Sequence, residues 1–317
     1  MDTILNHLFK AAEIHSSIKQ ELLDSTYIKH ETPLINICQF IESRIRDKSS
    51  SNEYNNGIAF PTGVSLNNCA AHWTPKTKYD KTVFKENDVL KIDYGVHVNG
   101  CIIDSAFTFT LNNVYNPLLE ASRHAVSEVI KHCGVDMSIS ELGTISEEIV
   151  NSYEIELNGK LIPIKPINNL CGHSISQWNI HSGKFIQGCK NTDMTRIEDN
   201  DFLAIEIFTS NGRGSTVISG ESTHFAINPN RPLNIYNKKT KGFYKELNTM
   251  FKTLPFCQRF IDYNDISLRP YDEQLRELVK KGVLYSYPPL YEIDKNSYVA
   301  QFEHTIYVSE TKKIKFT

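Results

Sequence analysis

Residues 91–110 constrain the fold of this chain more than any other stretch. Two runs rich in Ile, Val, Phe and Thr, 90–94 and 101–110, enclose the pair Asn99-Gly100. An Asn-Gly pair between two such runs is a strong short-range signal for a β-hairpin, because both residues accept the positive φ of a tight turn. We therefore predict two antiparallel strands joined at this pair.

Each predicted strand carries one aspartate, Asp93 in the first and Asp104 in the second. If the turn is centred on Val98 and Asn99, with Gly100 in a β-bulge, the two aspartates are direct cross-strand partners with Cβ atoms about 5 Å apart. Two adjacent ionised carboxylates in apolar surroundings repel each other, so the pair predicts a bound cation or a shared proton. The alternative is a carboxylate pair on the solvated face of the hairpin.

Composition limits the size and the partners of the protein. With 317 residues and 40% hydrophobic content, the chain can bury a sizeable core as one large domain or two. It carries 34 basic and 37 acidic residues, for a formal net charge of −3. This balance gives no global electrostatic reason to expect DNA, RNA or an anionic membrane as the main partner.

Cysteine usage and the N-terminal sequence favour the cytoplasm. The seven cysteines are scattered, odd in number and never in Cys-x-x-Cys spacing, which favours reduced thiols over disulfides or a cysteine zinc site. Residues 1–15 lack the basic region and apolar core of a signal peptide, and no apolar run approaches the roughly 18 residues of a membrane span. We expect a soluble, cytoplasmic protein with no membrane partner.

Apolar periodicity predicts helices before the hairpin. Apolar residues recur at near-helical spacing over 3–30, and a second helix is predicted over 34–46. Thr32-Pro33 supplies a candidate N-cap followed by proline at the first helical position. The polar stretch 48–57 predicts a surface loop.

Two further helices are predicted after the hairpin. The first covers 118–133, begun by Asn116-Pro117 and ended by Gly134, and the second begins at Ser140. The order strand, strand, helix, helix predicts an α+β fold with helices packed on an antiparallel sheet.

Two later β-rich runs contain isolated acidic residues. Glu206 lies in the apolar run 203–208, and Glu303 precedes the β-branched and aromatic residues of 301–308. A single carboxylate in such a run costs free energy unless it is paired or ligated. The alternative for each is an edge strand with the glutamate facing water.

Histidines complete the set of polar candidates. His173 and His181 lie in the glycine-containing stretch 169–181, and His72 lies beside Trp73, where a packed structural role is the alternative. The metal-ligand candidates combine four carboxylates and one imidazole, which divalent metals from hard to borderline accept: Asp93, Asp104, His173, Glu206 and Glu303. Four negative charges exceed what one hydrolytic zinc needs and suit two ions about 3–4 Å apart, with Mn, Fe, Co or Zn as candidates.

Residues 228–286 differ in character from their surroundings. They begin with a Pro- and Asn-rich segment and continue with helical patterns over 243–253 and 272–281, the second with Asp272 as its cap and Gly282 as its end. We predict one catalytic domain over 1–317, within which 228–286 (hereafter the insertion) is a compact helical subdomain.

Eight ordered sequence blocks resemble the methionine aminopeptidases of type 2 of the eukaryotic kind, in peptidase family M24. They span about residue 11 to about residue 309 and read AFPTGVSLNNCAAHWTP, KIDYG, IIDSAFTFT, NLCGHSI, IHSGK, AIEIF, YPPL and AQFEHT. The resemblance implies a pita-bread fold, with two pseudo-symmetric halves around a dinuclear metal site and a winged-helix-like insertion. It also implies co-translational removal of the initiator methionine from nascent chains with a small second residue.

The resemblance assigns a role to each candidate residue. Asp104 and Glu303 would bridge the two metal ions, Asp93 and His173 would bind opposite ions, and Glu206 would also handle the proton of the water. His72 and His181 would be catalytic residues that contact the substrate carbonyl, and His72 would be alkylated by fumagillin-type inhibitors. The methionine pocket would be lined by Phe60, Ile180, Phe208, His224 and Tyr287, and its aromatic rings suit a thioether.

The chain also departs from the family pattern. Ala226 stands where a bulkier apolar residue is frequent, which predicts a wider methionine pocket. The sequence shows no Lys- and acid-rich N-terminal extension, so contact with the ribosome, a candidate partner, is not expected by that route. The rival functions are an Xaa-Pro dipeptidase-like metallopeptidase and a non-catalytic pita-bread module that binds RNA or ribosomes.

Overall fold

The computed structural model describes residues 1–49, 55–264 and 270–317. The helices are α1 Asp2–Asp24, α2 Leu34–Lys48, α3 Asn116–His132, α4 Ile139–Val150, α5 Lys238–Phe251, α6 Gln258–Tyr263 and α7 Asp272–Lys280. The strands of the first half are β1 Thr32–Pro33, β2 Asn56–Leu66, β3 Cys69–Ala71, β4 Val83–Phe84, β5 Val89–Val98, β6 Cys101–Thr110, β7 Glu154–Leu157 and β8 Lys160–Pro163. The remaining strands are β9 Lys165–Pro166, β10 Cys171–Ser174, β11 Phe185–Gln187, β12 Asp201–Ser210, β13 Thr216–Ile218, β14 His224–Ile227, β15 Phe256–Cys257, β16 Leu284–Tyr287, β17 Leu290–Glu292, β18 Val299–Val308 and β19 Lys313–Lys315.

The predicted hairpin is present, but its register differs from the prediction. Asn99 and Gly100 both have positive φ, 52° and 76°, and form a two-residue turn without a bulge between β5 and β6. Asp93 is therefore opposite Ala106, and Asp104 is opposite Gly95. The direct pairing of the two aspartates was wrong, because the Asn-Gly pair itself closes the turn. A shift of two residues keeps both side chains on one face, as diagonal neighbours.

Two antiparallel sheets form the centre of the molecule. The first has the order β2-β5-β6, and the second has the order β11-β10-β12-β18-β19, with β9 paired to β12. Buried hydroxyls join the sheets where β6 meets β18: Ser105 Oγ donates to Glu303 O at 2.6 Å, and Thr305 Oγ1 donates to Asp104 O at 2.6 Å. The backbones of Asp104 and Glu303 are therefore held against each other by the fold.

Helices α1 to α4 pack on these sheets and enclose the main hydrophobic core, which includes Leu8, Ile18, Ile41, Val126 and Leu142. Helix α1 ends at Asp24, earlier than the predicted 30. This mixture of helices and antiparallel strands agrees with the predicted α+β class. In the described part of the chain, no helix is long and apolar enough to cross a membrane.

The start of α2 differs from the predicted cap. Pro33 is itself the N-cap and has no side-chain capping bond, while Thr32-Pro33 forms β1 and pairs with β4. The Thr32 hydroxyl instead accepts from Lys29 N and donates to Tyr27 O, which closes the preceding turn. Of the predicted surface loop 48–57, residues 50–54 lie outside the described residues.

The capping residue of α4 was also misplaced by the prediction. The cap is Ser138, not Ser140: its hydroxyl accepts from Glu141 N, and the Glu141 side chain accepts from Ser138 N at 2.8 Å. This reciprocal pair is a capping box, the Ser-x-x-Glu pattern that the sequence contains one turn before the apolar face.

The insertion contains α5, α6 and α7 and has its own hydrophobic cluster, which includes Phe243, Leu247, Phe256, Leu275 and Leu278. Strand β14 pairs with β15 and β16 in a small sheet beside these helices. Tyr271, not Asp272, occupies the N-cap of α7, and Gly282 follows that helix with φ 70°. Residues 265–269 of the predicted insertion lie outside the described residues.

The packing of the β5–β6 turn at Gly100 can be tested against the β7–β8 turn at Gly159, which is not packed against other residues. An alanine Cβ at Gly100 would lie 2.3 Å from Cε2 of Trp178, whereas one at Gly159, φ 71°, would meet nothing within 4 Å. Both substitutions place a side chain in the left-handed region, but only Gly100→Ala must also displace an indole. We expect Gly159→Ala to lower the free energy of unfolding by about 1 kcal/mol and Gly100→Ala by about 3 kcal/mol. Urea denaturation measures both, and equal losses would contradict the packing at the turn.

Candidate active site

A cavity of about 350 Å³ lies where the strands of the two central sheets and the small sheet of β14 meet. Every predicted site residue lines it: Phe60, His72, Asp93, Asp104, His173, Ile180, His181, Glu206, Phe208, His224, Tyr287 and Glu303. These residues are spread from position 60 to position 303, so only the fold brings them together.

The five metal-ligand candidates project from five different strands. Asp93 is on β5, Asp104 on β6, His173 on β10, Glu206 on β12 and Glu303 on β18. Glu206 and Glu303 are direct cross-strand partners, so two carboxylates face each other within one sheet. Like charges directly opposite each other destabilise a sheet unless a cation or a proton intervenes.

Three of the candidates form a compact buried cluster. Asp104, His173 and Glu303 each offer a ligand atom, and these atoms all lie within 4.8 Å of one another. Nε2 of His173 lies 3.4 Å from Oδ2 of Asp104. Burial lowers the pKa of His173 to about 4, so the imidazole is neutral near pH 7 and this contact is not an ion pair. A neutral imidazole is the form that binds metals.

Burial raises the pKa values of all four carboxylates, and neighbouring charges add to this for three of them. Burial raises the pKa of Asp104 to about 7, against a hydrogen bond from Glu303 that lowers it. Burial and the charge of Asp104 hold the pKa values of Asp93 and Glu303 well above their usual range, and Glu206 is affected by burial and by both aspartates. Clustered carboxylates in a dry site suit divalent cations, which would lower these pKa values by neutralising the charge.

Gln301 is a site residue that sequence reasoning missed. Its Nε2 donates to Oε2 of Glu206 at 2.9 Å and to Oδ2 of Asp93 at 3.4 Å. Oδ1 of Asp93 is buried and has no hydrogen-bond partner among the described residues. An orphaned carboxylate oxygen beside other carboxylates fits a metal ligand whose ion supplies the missing contact. The available signal was period-two alternation, which places Gln301 on the same strand face as Glu303.

Lys91 also lines the cavity but does not neutralise the carboxylates. It is buried, and its Nζ donates to Asn67 O at 2.7 Å and to Val89 O at 3.3 Å. Burial lowers the pKa of Lys91 to about 7, so its amino group mainly hydrogen-bonds the backbone near the β2–β3 turn.

Neutral histidines occupy the side of the cavity next to the carboxylates. The His181 ring centroid lies 4.4 Å from that of His173, and both His72 and His181 lie beside Tyr287, at 5.7 and 6.0 Å. Burial is the main cause that lowers the pKa of His72 to about 4 and that of His181 to about 3. Neutral imidazoles can each donate one hydrogen bond to a substrate carbonyl.

The remaining wall is largely apolar. Ile180 and Phe208 are 7% and 4% exposed, and His224 contacts Oγ1 of Thr223 through Nδ1 at 3.0 Å. Ala226 pairs with Tyr285 on the neighbouring strand and is not among the described residues that line the cavity. Any widening by Ala226 would therefore act through the packing behind the lining.

Comparisons with known proteins agree with this geometry. A model described as metallopeptidase family M24 matches residues 6–242. Methionine aminopeptidase 2 from Laccaria bicolor is 43% identical over 307 residues, which cover 96% of this chain and 84% of that relative. This chain belongs to metallopeptidase family M24. Within family M24 it groups with the eukaryotic methionine aminopeptidases of type 2, and it is a metalloexopeptidase that acts as a methionyl aminopeptidase.

Solved structures support the pita-bread fold of family M24. A thermophilic Arx1 superposes with a TM-score of 0.83 at 18% identity, and the match covers 100% of this chain and 91% of the other. Methionine aminopeptidase from Thermotoga maritima gives a TM-score of 0.66 at 16% identity, covering 100% and 97%. At these identities the likeness shows the fold alone, and it confirms the predicted fold class.

Removal of one carboxylate tests the cost of ionising a buried acid in this M24 site. Because the folded-state pKa of Asp104 is raised from 3.8 to about 7, its stabilising contribution is fully present below 3.8 and is lost as pH rises through 7. Asp104→Asn has no charge to lose. We therefore expect the metal-free variant to be more stable than metal-free wild type at pH 8, with the difference shrinking toward pH 4.

Urea unfolding in chelator at a series of pH values measures this difference. The matched control is Asp24→Asn, at an exposed residue at the end of α1, which should show no such trend. A stability difference for Asp104→Asn that does not change with pH would contradict a raised pKa of the buried Asp104.

Proposed function

We propose that this enzyme removes the initiator methionine from nascent polypeptides with a small second residue, using two divalent metal ions. The observation that carries the proposal is the convergence of Asp93, Asp104, His173, Glu206 and Glu303 on one cavity that also has an apolar wall. The 43% sequence identity to a methionine aminopeptidase of type 2 supports peptides with an N-terminal methionine as the substrate class.

The positions of the ligands suggest how two ions would share them. Asp104 and Glu303 are central, because both lie close to His173 and to each other. The charge of Asp104 also contributes to the raised pKa values of Asp93, Glu206 and Glu303. Asp104 and Glu303 are the candidates for bridging ligands, with Asp93 and His173 at opposite ends. Bound divalent ions, Mn, Fe, Co or Zn, would polarise the scissile carbonyl. They would also lower the pKa of a water molecule, so that it can attack as hydroxide at neutral pH.

The protein's own groups would then handle protons and orient the substrate. Glu206 is the candidate general base, because its carboxylate lines the cavity directly opposite Glu303 on the neighbouring strand. Gln301, which donates to Glu206 at 2.9 Å, fixes the carboxylate in place. His72 and His181 lie on the adjacent wall as neutral donors for the substrate carbonyl and for the oxyanion that develops on it.

The apolar wall is the proposed methionine pocket. Phe60, Ile180 and Phe208 provide apolar surface, and the rings of His224 and Tyr287 lie within 6.1 and 5.7 Å of the His72 ring. A thioether packs favourably at the edges of such rings. The pocket therefore places the methionine side chain beside the carboxylate cluster that would bind the ions.

We also propose that residues 228–286 are a helical, winged-helix-like subdomain within a single catalytic domain. The separate hydrophobic cluster of the insertion and its small sheet support this division. All seven cysteines are free, which supports a reducing compartment such as the cytoplasm. Nascent chain N-termini are the proposed substrates, and the ribosome is a candidate partner.

Peptide turnover tests the proposed reaction. After dialysis against chelator, we expect wild type to release no methionine from Met-Ala-Ser, and re-addition of Mn or Co to restore release with little cleavage of Ala-Pro. Asp104→Asn, which removes the proposed bridging ligand, should lower kcat at least about 10³-fold even with metal. Liquid chromatography of released amino acids measures both reactions.

The controls separate the rival functions. Faster cleavage of Ala-Pro than of Met-Ala-Ser would support a dipeptidase instead. Failure to cut either peptide, together with no metal retained after gel filtration, would contradict the proposal and favour the binding module.

Epoxide labelling tests the placement of His72. Its lowered pKa leaves a nitrogen lone pair unprotonated at neutral pH, and its ring lines the cavity. We expect a fumagillin-type epoxide to add once to wild type, and the adduct to map to His72 by peptide mass spectrometry. His72→Ala should abolish labelling, whereas His181→Ala should keep the adduct on His72. Equal labelling of His72→Ala and wild type would show that another residue reacts.

A further inference from the structure

A buried ion pair joins the insertion to the body of the enzyme. Arg259 in α6 and Glu42 in α2 are each 1% exposed, and Nη2 of Arg259 donates to Oε1 of Glu42 at 2.5 Å. Burial of two charges costs desolvation free energy that the attraction between them offsets only in part. Stability alone is therefore a weak reason for the pair, and its remaining contacts indicate a second role.

The guanidinium of Arg259 also holds the segment that follows His72. Its Nη1 donates to Oγ1 of Thr74 at 2.8 Å and to O of Pro75 at 2.6 Å. Thr74 is fully buried. Because the guanidinium is planar and rigid, the position of Glu42 on α2 also fixes the position of residues 74 and 75.

The pair is not arranged for the strongest possible attraction. Arg-carboxylate pairs are frequently bidentate, with two parallel hydrogen bonds. Here Oε2 of Glu42 and Nε of Arg259 are buried without a hydrogen-bond partner among the described residues. The hydrogen-bond donors of Arg259 are instead divided between Glu42 and the segment 74–75. This geometry favours fixing that segment over a bidentate ion pair.

His72 adopts a backbone conformation that needs such support. Its φ is 63°, in the left-handed region, which residues other than glycine rarely adopt without support. His72 O accepts from Oγ1 of Thr223 at 3.1 Å, and Trp73 O accepts from Val64 N at 2.9 Å. With Arg259 on the next two residues, the whole segment from 72 to 75 is fixed.

We propose that Arg259 is a positioning residue for His72. Through Thr74 and Pro75, it maintains the left-handed backbone that directs the His72 imidazole into the cavity. The proposal rests on the proposed function, in which His72 contacts the substrate carbonyl. It gives the insertion a part in catalysis, because an insertion residue that does not line the cavity orders a residue that does.

Arg259→Lys tests the proposal. Lysine keeps the charge, but it lacks the rigid planar guanidinium that hydrogen-bonds Glu42 and the segment 74–75 at the same time. We expect kcat for Met-Ala-Ser to fall roughly 10- to 100-fold, with KM and bound metal nearly unchanged. The rate of epoxide addition to His72 should fall as well. The matched control is Leu247→Ala, in the insertion's own hydrophobic cluster, which should lower the melting temperature and leave kcat unchanged.

A double-mutant cycle separates positioning from general structure. In a His72→Ala background, Arg259→Lys should cause little further loss of kcat, because the residue through which it acts is absent. If the kcat loss of the double variant equals the product of the losses of Arg259→Lys and His72→Ala, the proposal is overturned. If Arg259→Lys does not fold, Thr74→Val removes one acceptor at nearly constant shape and should lower kcat and the labelling rate while leaving KM unchanged.

The outcomes also distinguish this proposal from the proposed function. If wild type releases methionine and both variants lose only thermal stability, with unchanged kcat and labelling rate, the positioning role is overturned and the proposed function stands. If metal-loaded wild type releases no methionine, the proposed function fails and the positioning proposal fails with it.

Discussion

The burial of four carboxylates in one cavity, with the repulsion among them, is the constraint on which the rest of this structure depends. Asp93, Asp104, Glu206 and Glu303 come from four strands and face one cavity, and their pKa values lie well above the usual range for carboxyl groups. Such a cluster lowers stability at neutral pH unless the surrounding structure or a cation compensates. The hydroxyl bridges between β6 and β18 and the large core behind the sheets provide the structural part. The hydroxyl bridges and the hydrophobic core therefore hold the acidic groups together against their mutual repulsion.

The same constraint divides the cavity chemically. One side concentrates potential negative charge, while burial keeps the histidines of the other side neutral at physiological pH. A peptide N-terminus presents an amine, a carbonyl and a side chain within a few bonds, and in the proposed function each group meets a different wall. The fold alone does not dictate this match, because one fold can host many functions. The side chains that line the cavity determine it.

Local sequence patterns predicted the elements of the site better than their register. The Asn99-Gly100 turn and the isolated glutamate of β12 follow from nearest-neighbour chemistry, so the strands were predictable. The position of Asp104 opposite Gly95 depends on whether the turn contains two residues or a bulge, which period-two alternation cannot decide, since both place the aspartates on one face. The roles of His72 and the pocket residues came from family resemblance, because a histidine beside a tryptophan is more often a packed structural residue.

Contacts between residues distant in sequence were beyond reach for a different reason. Gln301 and Asp93 are separated by 208 positions, and Arg259 and Glu42 by 217. No local propensity encodes which buried arginine meets which buried glutamate, because the pairing depends on where an entire insertion docks. Yet this docking places a rigid guanidinium behind the strained backbone of His72. Strain at a functional residue persists only where its surroundings over-determine the conformation, so the support is expected from a well-packed element rather than from a loop. The insertion, with its own hydrophobic cluster, meets that requirement.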